Sequence, residues 1–338
     1  MQEPFEICNV RVEPGDRQNI DIPLARLYTH TQMTLPVEVL HGTESGPRLF
    51  LSATLHGDEI NGIEIIRRVM AQIGAYGLKG TVVAVPIINV FGFVYQSRYL
   101  PDRRDLNRSF PGSSRGSLAS RLAYLFCHEV MYRCTYGIDL HTAAPPRTNL
   151  PQVRANLKDK ETRRIAEAFA APVMMGSPGP EGSMRRVAVK RGIPLLVYEG
   201  GEPHRFNETT IEMGVNGVLR VMRALEMVDE DIAPAVASSI ESTRTTWVRA
   251  RQSGILRLEV AMGELVVKGQ QLGIIADPFG SSALPVIAPQ DGMVIGQVIS
   301  PLVHRGDAVL HLAINMIIIK EDADDSAQRA IALGYRQA

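Results

Sequence analysis

The sequence predicts an α/β fold, in which helices flank a mixed or parallel sheet, followed by a small all-β module. Short apolar runs alternate with segments of helical periodicity as far as Tyr198. Asp229 to Ile240 then combines acidic residues, proline and serine, as linkers do. Beyond this stretch, short β-prone segments are separated by glycine turns. We therefore expect two domains, residues 1–240 and residues 241–338.

The first α/β unit follows a region of short β segments. Arg48–Leu55 is an apolar run typical of a buried strand. Asn61–Ile73 carries apolar residues at helical spacing, and glycines interrupt the chain before the next strand-like run, Thr81–Ile88. The order strand, helix, strand predicts a parallel pair.

The same alternation continues along the chain. It predicts helices at Ser117–Tyr132 and Asp159–Ala170, and strands at Tyr136–Leu140, Ala171–Met175 and Ile193–Tyr198. In open α/β sheets, ligands bind at the carboxyl ends of the strands. Four polar residues stand at such ends and are expected to converge on one edge of the sheet: His56, Asn89, His141 and Glu199.

Composition excludes several classes of function. Lys and Arg together number 36, as do Asp and Glu, and the sequence pI is about 7.1, so neither nucleic acid nor a membrane surface is an expected partner. The three cysteines, Cys8, Cys127 and Cys134, form no Cys-x-x-Cys pair and indicate reduced thiols. Met1–Pro4 does not resemble the start of a signal peptide, and no apolar run approaches about 18 residues. We expect a soluble cytoplasmic protein.

Two histidines and a glutamate have positions suited to Zn²⁺. His56 and Glu59 are three residues apart, so both side chains can face one point, and His141 follows an apolar strand. Asp139 is placed to orient the imidazole of His141. Three such ligands leave one metal position open for water. Taken singly, Glu59 also fits the first turn of a solvated helix, and His141 fits an ordinary strand end.

Glu199 is the candidate for a general base. It follows the apolar strand and precedes two glycines, which allow the backbone to approach a substrate. Glu202, three residues on, is the alternative. The loop Arg98–Gly112 is rich in arginine, which binds carboxylates bidentately and stabilises oxyanions. A basic surface loop is the other interpretation of that segment.

Four fragments carry most of the polar residues at these strand ends and in the arginine-rich loop. They are His56-Gly57-Asp58-Glu59, Asp105-Leu106-Asn107-Arg108, Asp139-Leu140-His141-Thr142 and Glu199-x-Gly201. Taken together and in this order, they resemble the succinylglutamate desuccinylase/aspartoacylase family, a branch of the zinc carboxypeptidase clan, over roughly residues 45 to 205. The resemblance implies a zinc-carboxypeptidase-like fold and one Zn²⁺ per chain, bound by His56, Glu59 and His141.

The resemblance also implies the roles of the remaining site residues. Glu199 would be the general base and later the proton donor to the leaving amine. Asn107 and Arg108 match the pair that binds the substrate carboxylate. Arg98 matches the arginine that stabilises the oxyanion, although Arg103 is an alternative for that role because it lies in the same basic loop.

The tail from Gly254 to Ala313 resembles the barrel-sandwich modules of the biotinyl/lipoyl type. Those modules carry their cofactor on a lysine at a hairpin tip. Here Ala276–Pro289 contains no lysine, and Lys268 lies in a different turn. We therefore expect a structural or site-covering domain and not a cofactor carrier.

Other conspicuous side chains receive ordinary interpretations. Trp247 and the methionines Met174, Met175 and Met184 are interpreted as core residues. His204, Arg147 and Arg154 lie in segments that could reach the pocket, but their spacing does not place them there.

The function predicted from these observations is a zinc-dependent hydrolase that removes an acyl group from an N-acylated amino acid or a related small molecule. A zinc carboxypeptidase acting on peptides is the alternative, and a non-catalytic binding protein is a third possibility. The expected partner is a small-molecule substrate, and a homo-oligomer is compatible with the sequence.

Overall fold

The computed structural model describes residues 2–229 and 239–319. The predicted linker falls largely on residues 230–238, and the end of the predicted second domain falls on residues 320–338, both outside the described residues. In the described parts, the chain forms a mixed sheet of 12 strands, together with a four-stranded and a two-stranded sheet. The prediction of a mixed sheet flanked by helices is confirmed.

Ten strands lie within residues 2–201, and all but the first two belong to the 12-stranded sheet. They are β1 (Phe5–Ile7), β2 (Val10–Val12), β3 (Arg17–Arg26), β4 (Gln32–His41), β5 (Glu44–Ala53), β6 (Lys79–Val85), β7 (Tyr136–His141), β8 (Arg147–Ala155), β9 (Val173–Gly176) and β10 (Leu195–Gly201). β1 and β2 pair only with each other in the described chain.

The helices are short to medium in length. They are α1 (Asn61–Gln72), α2 (Val90–Val94), α3 (Leu118–Glu129), α4 (Lys160–Phe169), α5 (Met184–Arg191) and α6 (Glu208–Ala224), with 3₁₀ turns at Leu106–Arg108 and Met131–Arg133. Within residues 2–229 and 239–319, no helix combines the length and the apolar character needed to cross a membrane.

The centre of the sheet is parallel. β5 pairs in parallel with β6 and with β7, and β7 pairs in parallel with β10, so the predicted parallel pair is confirmed. Antiparallel pairing appears where β4 meets β3 and β6, and where β8 meets β10. The carboxyl ends of β5, β7 and β10 therefore lie side by side at one edge, which is where α/β sheets bind ligands.

Two apolar layers cover the faces of the sheet. Helices α1, α4 and α6 bury side chains such as Ile65 and Phe169 against one face, and α3 and α5 bury Phe126 and Met184 on the other. Glycines allow α6 to pack closely: a Cβ on Gly217 would lie 2.3 Å from the ring of Phe169. Such an atom cannot be accommodated without movement of the ring or of the helix.

β8 is the main element that the sequence pattern does not predict. It lies between β9 and β10, yet it contains Pro151 and the buried polar residues Asn149 and Gln152. A central strand normally consists of apolar residues, so a strand with this composition is not recognised from the sequence pattern. The helices α5 and α6 are likewise absent from the predicted elements.

Every regular element described beyond residue 239 is a strand, as the sequence predicts. These strands are β11 (Ser239–Arg249), β12 (Gly254–Leu258), β13 (Leu265–Val266), β14 (Gln271–Ala276), β15 (Ala283–Ile287), β16 (Gly292–Val298), β17 (Leu302–Val303) and β18 (Ala308–Ile319). β12, β14, β15 and β17 form the separate four-stranded sheet. Apolar residues including Leu272, Val294 and Leu310 fill a core within this part of the chain. The comparison with a barrel-sandwich module stays a prediction.

The C-terminal strands continue the large sheet. β11 pairs in parallel with β9 and antiparallel with β18, and β16 pairs with both β18 and β8. Backbone hydrogen bonding thus runs without interruption from the first part of the chain into the second. The predicted division at residue 240 falls within a strand that belongs to the shared sheet.

The packing around Phe169 generates a test of the fold. Phe169 is fully buried, and its ring centroid lies 5.0 Å from that of Tyr198. We expect Phe169→Ala to lower the free energy of unfolding by about 3–5 kcal/mol, because it leaves a cavity between α6 and the sheet. Urea denaturation followed by circular dichroism measures this as a lower midpoint at an unchanged slope.

Phe279→Ala is the matched control, because Phe279 is 91% exposed. We expect its midpoint to equal that of the wild type within experimental error. Equal midpoints for both variants would contradict the assigned position of Phe169.

Candidate metal centre and active site

The ends of β5 and β7 bring two histidines and a glutamate together. One ligand atom from each of His56, Glu59 and His141 can be chosen so that all three lie within 4.8 Å of one another. Each residue is less than 5% exposed. The sequence analysis predicts these three residues as metal ligands. The fold brings them together although 82 residues separate Glu59 from His141.

The turn that carries His56 and Glu59 requires a glycine. A Cβ on Gly57 would lie 1.9 Å from the carbonyl carbon of Gly92 in α2, which no side chain tolerates. The backbone of Gly57 also donates to the carbonyl of Ser97 at 3.0 Å. The turn is therefore held against α2, and this fixes the direction in which His56 and Glu59 point.

The carboxylate of Glu59 lies between the two imidazoles. Its Oε1 is 2.7 Å from Nδ1 of His56, and its Oε2 is 2.8 Å from Nδ1 of His141. Two imidazole nitrogens and a carboxylate form the donor set of hydrolytic zinc sites. The chemistry and the spacing of these atoms fit a zinc ion.

A further carboxylate faces the other nitrogen of each imidazole. Nε2 of His141 lies 2.7 Å from Oδ2 of Asp139, and Nε2 of His56 lies 3.3 Å from Oδ1 of Asp105. Ser52 donates to the remaining oxygen of Asp139 at 2.8 Å. Such carboxylates fix the tautomer and the ring orientation of metal-binding histidines, which leaves Nδ1 as the nitrogen free to bind a metal.

The charges of this cluster shift the pKa values of its members. Burial would lower the pKa of His141, but the carboxylates of Asp139 and Glu59 outweigh it and raise the pKa well above the ordinary value. Burial would raise the pKa of Glu59, but His56 and His141 outweigh it and lower the pKa. The lowered pKa of Glu59 favours its charged carboxylate, which is the form that binds a cation, whereas a metal ion would bind His141 only in its neutral form.

Arg98 lies beside the cluster. Its Nη1 donates to Oε1 of Glu59 at 3.2 Å, and its Nη2 donates to Oδ2 of Asp105 at 3.0 Å. The guanidinium group has five N–H donors, so others remain for a substrate. Arg103, the alternative in the sequence, is exposed and does not line the cavity described below.

Asn107 and Arg108 lie on the 3₁₀ turn that follows Asp105. The Oδ1 atom of Asn107 accepts a hydrogen bond from the backbone of Met184 at 3.1 Å. Nη1 of Arg108 donates to the backbone carbonyl of Asn107 at 2.7 Å. Both side chains line the cavity, and Arg108 is exposed at its mouth.

Glu199, near the end of β10, faces the same cavity. Its Oε2 accepts a hydrogen bond from Asn149 at 2.9 Å, and its Oε1 lies 3.4 Å from Nη1 of Arg154. Glu202, the alternative base, is paired with Arg205 at 2.9 Å and does not line the cavity. Of the two glutamates that the sequence offers as a general base, only Glu199 therefore lines the cavity.

The cavity has a volume of about 260 Å³, which suits a small molecule. The three predicted metal ligands line it, as do the four residues predicted to act on the substrate, Arg98, Asn107, Arg108 and Glu199. Residues from β8, α5 and β11 complete the lining. Two other sequence candidates lie elsewhere: Asn89 caps α2 by accepting from the backbone of Gly92, and His204 is exposed. Neither lines the cavity.

Trp247 corrects one interpretation of the sequence. It is 37% exposed and lines the cavity, whereas the three methionines grouped with it are buried as expected. Its ring stacks on His311 with centroids 3.9 Å apart, and the guanidinium carbon of Arg147 lies 4.9 Å from its centroid. Trp247 lies on β11, so the C-terminal part of the chain supplies one wall of the cavity.

Sequence reasoning missed three further polar residues of the cavity, Asn149, Ser183 and Arg185. Asn149 and Arg185 lie on β8 and α5, the elements that the pattern does not predict. Arg147 and Arg154, which lie in segments expected within reach of the pocket, both line the cavity. The signal that could have located the residues of β8 is the presence of Arg147, Asn149 and Arg154 in a central strand, because polar residues there indicate a function.

Comparison with known proteins places this geometry in context. Residues 45–225 match the model of the succinylglutamate desuccinylase/aspartoacylase catalytic domain. The N-α-acetyl-L-2,4-diaminobutyric acid deacetylase of Halomonas elongata is 27% identical over 296 residues, which cover 82% of this chain and 85% of the relative.

Solved structures have the same fold. A succinylglutamate desuccinylase/aspartoacylase from Rhodobacter sphaeroides is 26% identical, with a TM-score of 0.78 over 89% of this chain and 95% of the other. A product-bound ectoine utilization protein EutE (DoeB) from Ruegeria pomeroyi, 21% identical, has the same TM-score and the same coverage. The similarity extends well beyond residue 225, because these alignments cover most of the chain.

The assignment of the metal ligands leads to a test. We expect His141→Ala to lose tightly bound zinc, because removal of one imidazole leaves only two protein ligands. Metal content is measured by mass spectrometry after zinc loading and dialysis. We expect about one zinc per chain in the wild type and less than about a tenth of that in the variant.

His128→Ala is the control, because His128 is exposed on α3 and lies outside the cavity. It should retain as much zinc as the wild type. Equal zinc contents in all three proteins would refute the assigned ligand set.

Proposed function

Because this chain belongs to the succinylglutamate desuccinylase/aspartoacylase family, we propose that it is a zinc-dependent hydrolase that removes an acyl group from an N-acylated amino acid or a related small molecule. The observation that carries the proposal is the buried cluster of His56, Glu59 and His141, which shares one small cavity with the carboxylate of Glu199. A metal-binding cluster beside a carboxylate in a pocket is what hydrolysis of an amide requires. The deacetylase activity named for the Halomonas relative supports the reaction type.

Glu199 acts as the proton carrier in this proposal. Zn²⁺ bound by the three ligands would supply a Lewis acid that polarises the scissile carbonyl and lowers the pKa of water to about 7. Glu199 takes the proton of the attacking water and delivers it to the leaving amine. Asn149 and Arg154 hold the carboxylate of Glu199 in position.

Three cavity residues bind the substrate and the charge that develops during the reaction. Arg98 is held in place by Glu59 and Asp105, and its remaining N–H groups stabilise the oxyanion of the tetrahedral intermediate. Arg108 and Asn107 bind the free carboxylate of the substrate at the mouth of the cavity. The small volume, with Trp247 as one wall, supports a small-molecule substrate over a peptide.

The proposal predicts a specific substrate profile. We expect zinc-loaded protein to release amine from N-acetyl, N-succinyl or N-formyl amino acids and to lose this activity after treatment with a chelator. Release of amine is measured over a panel of these compounds beside blocked dipeptides. Turnover of blocked dipeptides alone would instead identify a carboxypeptidase, and turnover of none would support a binding protein.

Glu199 is tested separately from the metal. We expect Glu199→Gln to retain zinc but to lose about 10²–10⁴-fold in kcat, because glutamine cannot accept the proton of water. Both quantities are measured on the same preparation. Glu202→Gln is the matched control and should stay within a few-fold of wild-type kcat, since Glu202 is paired with Arg205 away from the cavity. The reverse pattern would transfer the role to Glu202.

A further inference from the structure

The amide of Asn149 reaches Glu199 because β8 contains a β-bulge. Gln152 pairs with Glu199 and Asn149 pairs with Gly201, so three residue steps on β8 correspond to two on β10. Bulges of this kind redirect a side chain and are frequent beside active sites. Asn149 and Glu199 therefore face the same cavity, and Nδ2 of Asn149 donates to Oε2 of Glu199 at 2.9 Å.

A line of paired residues runs from Asn149 into the C-terminal strands. Asn149 pairs with Gly296 on β16, and Gly296 pairs in turn with His311 on β18. Trp247 on β11 pairs with His311 and ends the line. Residues that lie opposite each other in antiparallel strands carry their side chains on the same face of the sheet. Asn149 and Trp247 both line the cavity, so this face is the one that borders it.

Gly296 has no side chain, and the amide of Asn149 takes up the space in which one would lie. A Cβ on Gly296 would lie 3.0 Å from Oδ1 of Asn149 and 3.3 Å from Cβ of His311. The first of these contacts is closer than van der Waals packing normally allows, so the amide would have to move by a few tenths of an ångström.

No other property of the position accounts for a glycine at residue 296. Its φ angle is not in the left-handed region, so other residues can adopt its backbone conformation. Glycine weakens the interior of a strand, and where it occurs there it often marks the close approach of another group. Here that group is the side chain of Asn149.

The direction of the Asn149 amide depends on this space. Only Nδ2 can donate a hydrogen bond, so the bond to Glu199 requires Nδ2 to face β10. Oδ1 then lies over Gly296, on the side of β16. The amide group is planar and rigid, so a side chain at residue 296 that displaced Oδ1 would also displace Nδ2 from the carboxylate of Glu199.

We propose that Gly296 is a positioning residue for the general base: by leaving room for the amide of Asn149, β16 sets the direction of the Glu199 carboxylate. The inference rests on the proposed function and assigns part of its catalytic geometry to the C-terminal strands. Gly296 does not line the cavity, so it acts through Asn149 and not on the substrate. Its effect is measurable because a misplacement of about 1 Å can lower a rate by about 10²-fold.

Steady-state kinetics of the zinc-loaded Gly296→Ala variant tests this role. We expect kcat to fall about 10-fold, while KM stays within about twofold of the wild type and zinc stays at about one per chain. Gly176→Ala is the matched control, because Gly176 also lies in a strand without left-handed φ, and an added Cβ would meet only Leu157, at 3.8 Å. Its kcat should equal that of the wild type.

A double-mutant cycle with Asn149→Ala separates positioning from a general weakening of β16. Asn149→Ala removes the amide that a side chain at residue 296 would displace. We expect each single substitution to lower kcat about 10-fold, and Gly296→Ala to change kcat by less than about twofold when Asn149 is already alanine. A glycine that only supports the fold would lower kcat by the same factor in both backgrounds.

Urea denaturation provides a second cycle that needs neither substrate nor turnover. We expect Gly296→Ala to lower the urea midpoint in the wild-type background and to lower it less beside Asn149→Ala, because the crowded amide is then absent. If Gly296→Ala alone does not fold, the double variant should fold for the same reason. Failure of both to fold would contradict the inference.

The outcomes distinguish this inference from the proposed function. Turnover by the wild type, with an unchanged kcat in Gly296→Ala or an equal loss in both backgrounds, would overturn the positioning role and leave the hydrolase standing. A raised KM at an unchanged kcat would also overturn it. No turnover by the wild type on any substrate would remove the hydrolase and, with it, a general base to position.

Discussion

The buried carboxylate of Glu59 is the constraint on which the site depends. A carboxylate at 2% exposure is stable only if charged or polar groups surround it. His56, His141, Arg98 and the backbone N–H of Thr142 all bond to it. These partners come from the turn after β5, the end of β7 and the loop after α2. Glu59 therefore holds three separate segments to one point, and the rest of the cavity is arranged around that point.

The positions of His56 and His141 could be predicted because both residues follow regular apolar strands. The run before His56 and the run before His141 both form central strands of the sheet, so the two histidines had to meet at one edge. The choice of Arg98 over Arg103, and of Glu199 over Glu202, could not be made in this way. Those side chains differ in the direction in which a loop or a strand end turns, and spacing along the sequence does not encode it.

Much of the unpredicted part of the site lies on one strand. β8 places Asn149 and Arg154 against Glu199, and the same polar residues make the strand resemble a loop in the sequence. Trp247 differs from the sequence prediction for a related reason. A large aromatic residue is usually core, but on β11 it stacks on His311 at the cavity wall with one side still accessible. Residues that serve a site depart from the pattern of their element, and pattern analysis misses them for that reason.

The continuity of the sheet across residue 240 has a consequence for how this protein can change. β11 covers the outer edge of β9, and β16 pairs with the first residues of β8. If the C-terminal strands were removed, both edges would expose unpaired backbone N–H and C=O groups to other chains, which is a known route to aggregation. The strands β11 and β16 therefore protect the sheet from pairing with other chains, in addition to supplying Trp247 to the cavity.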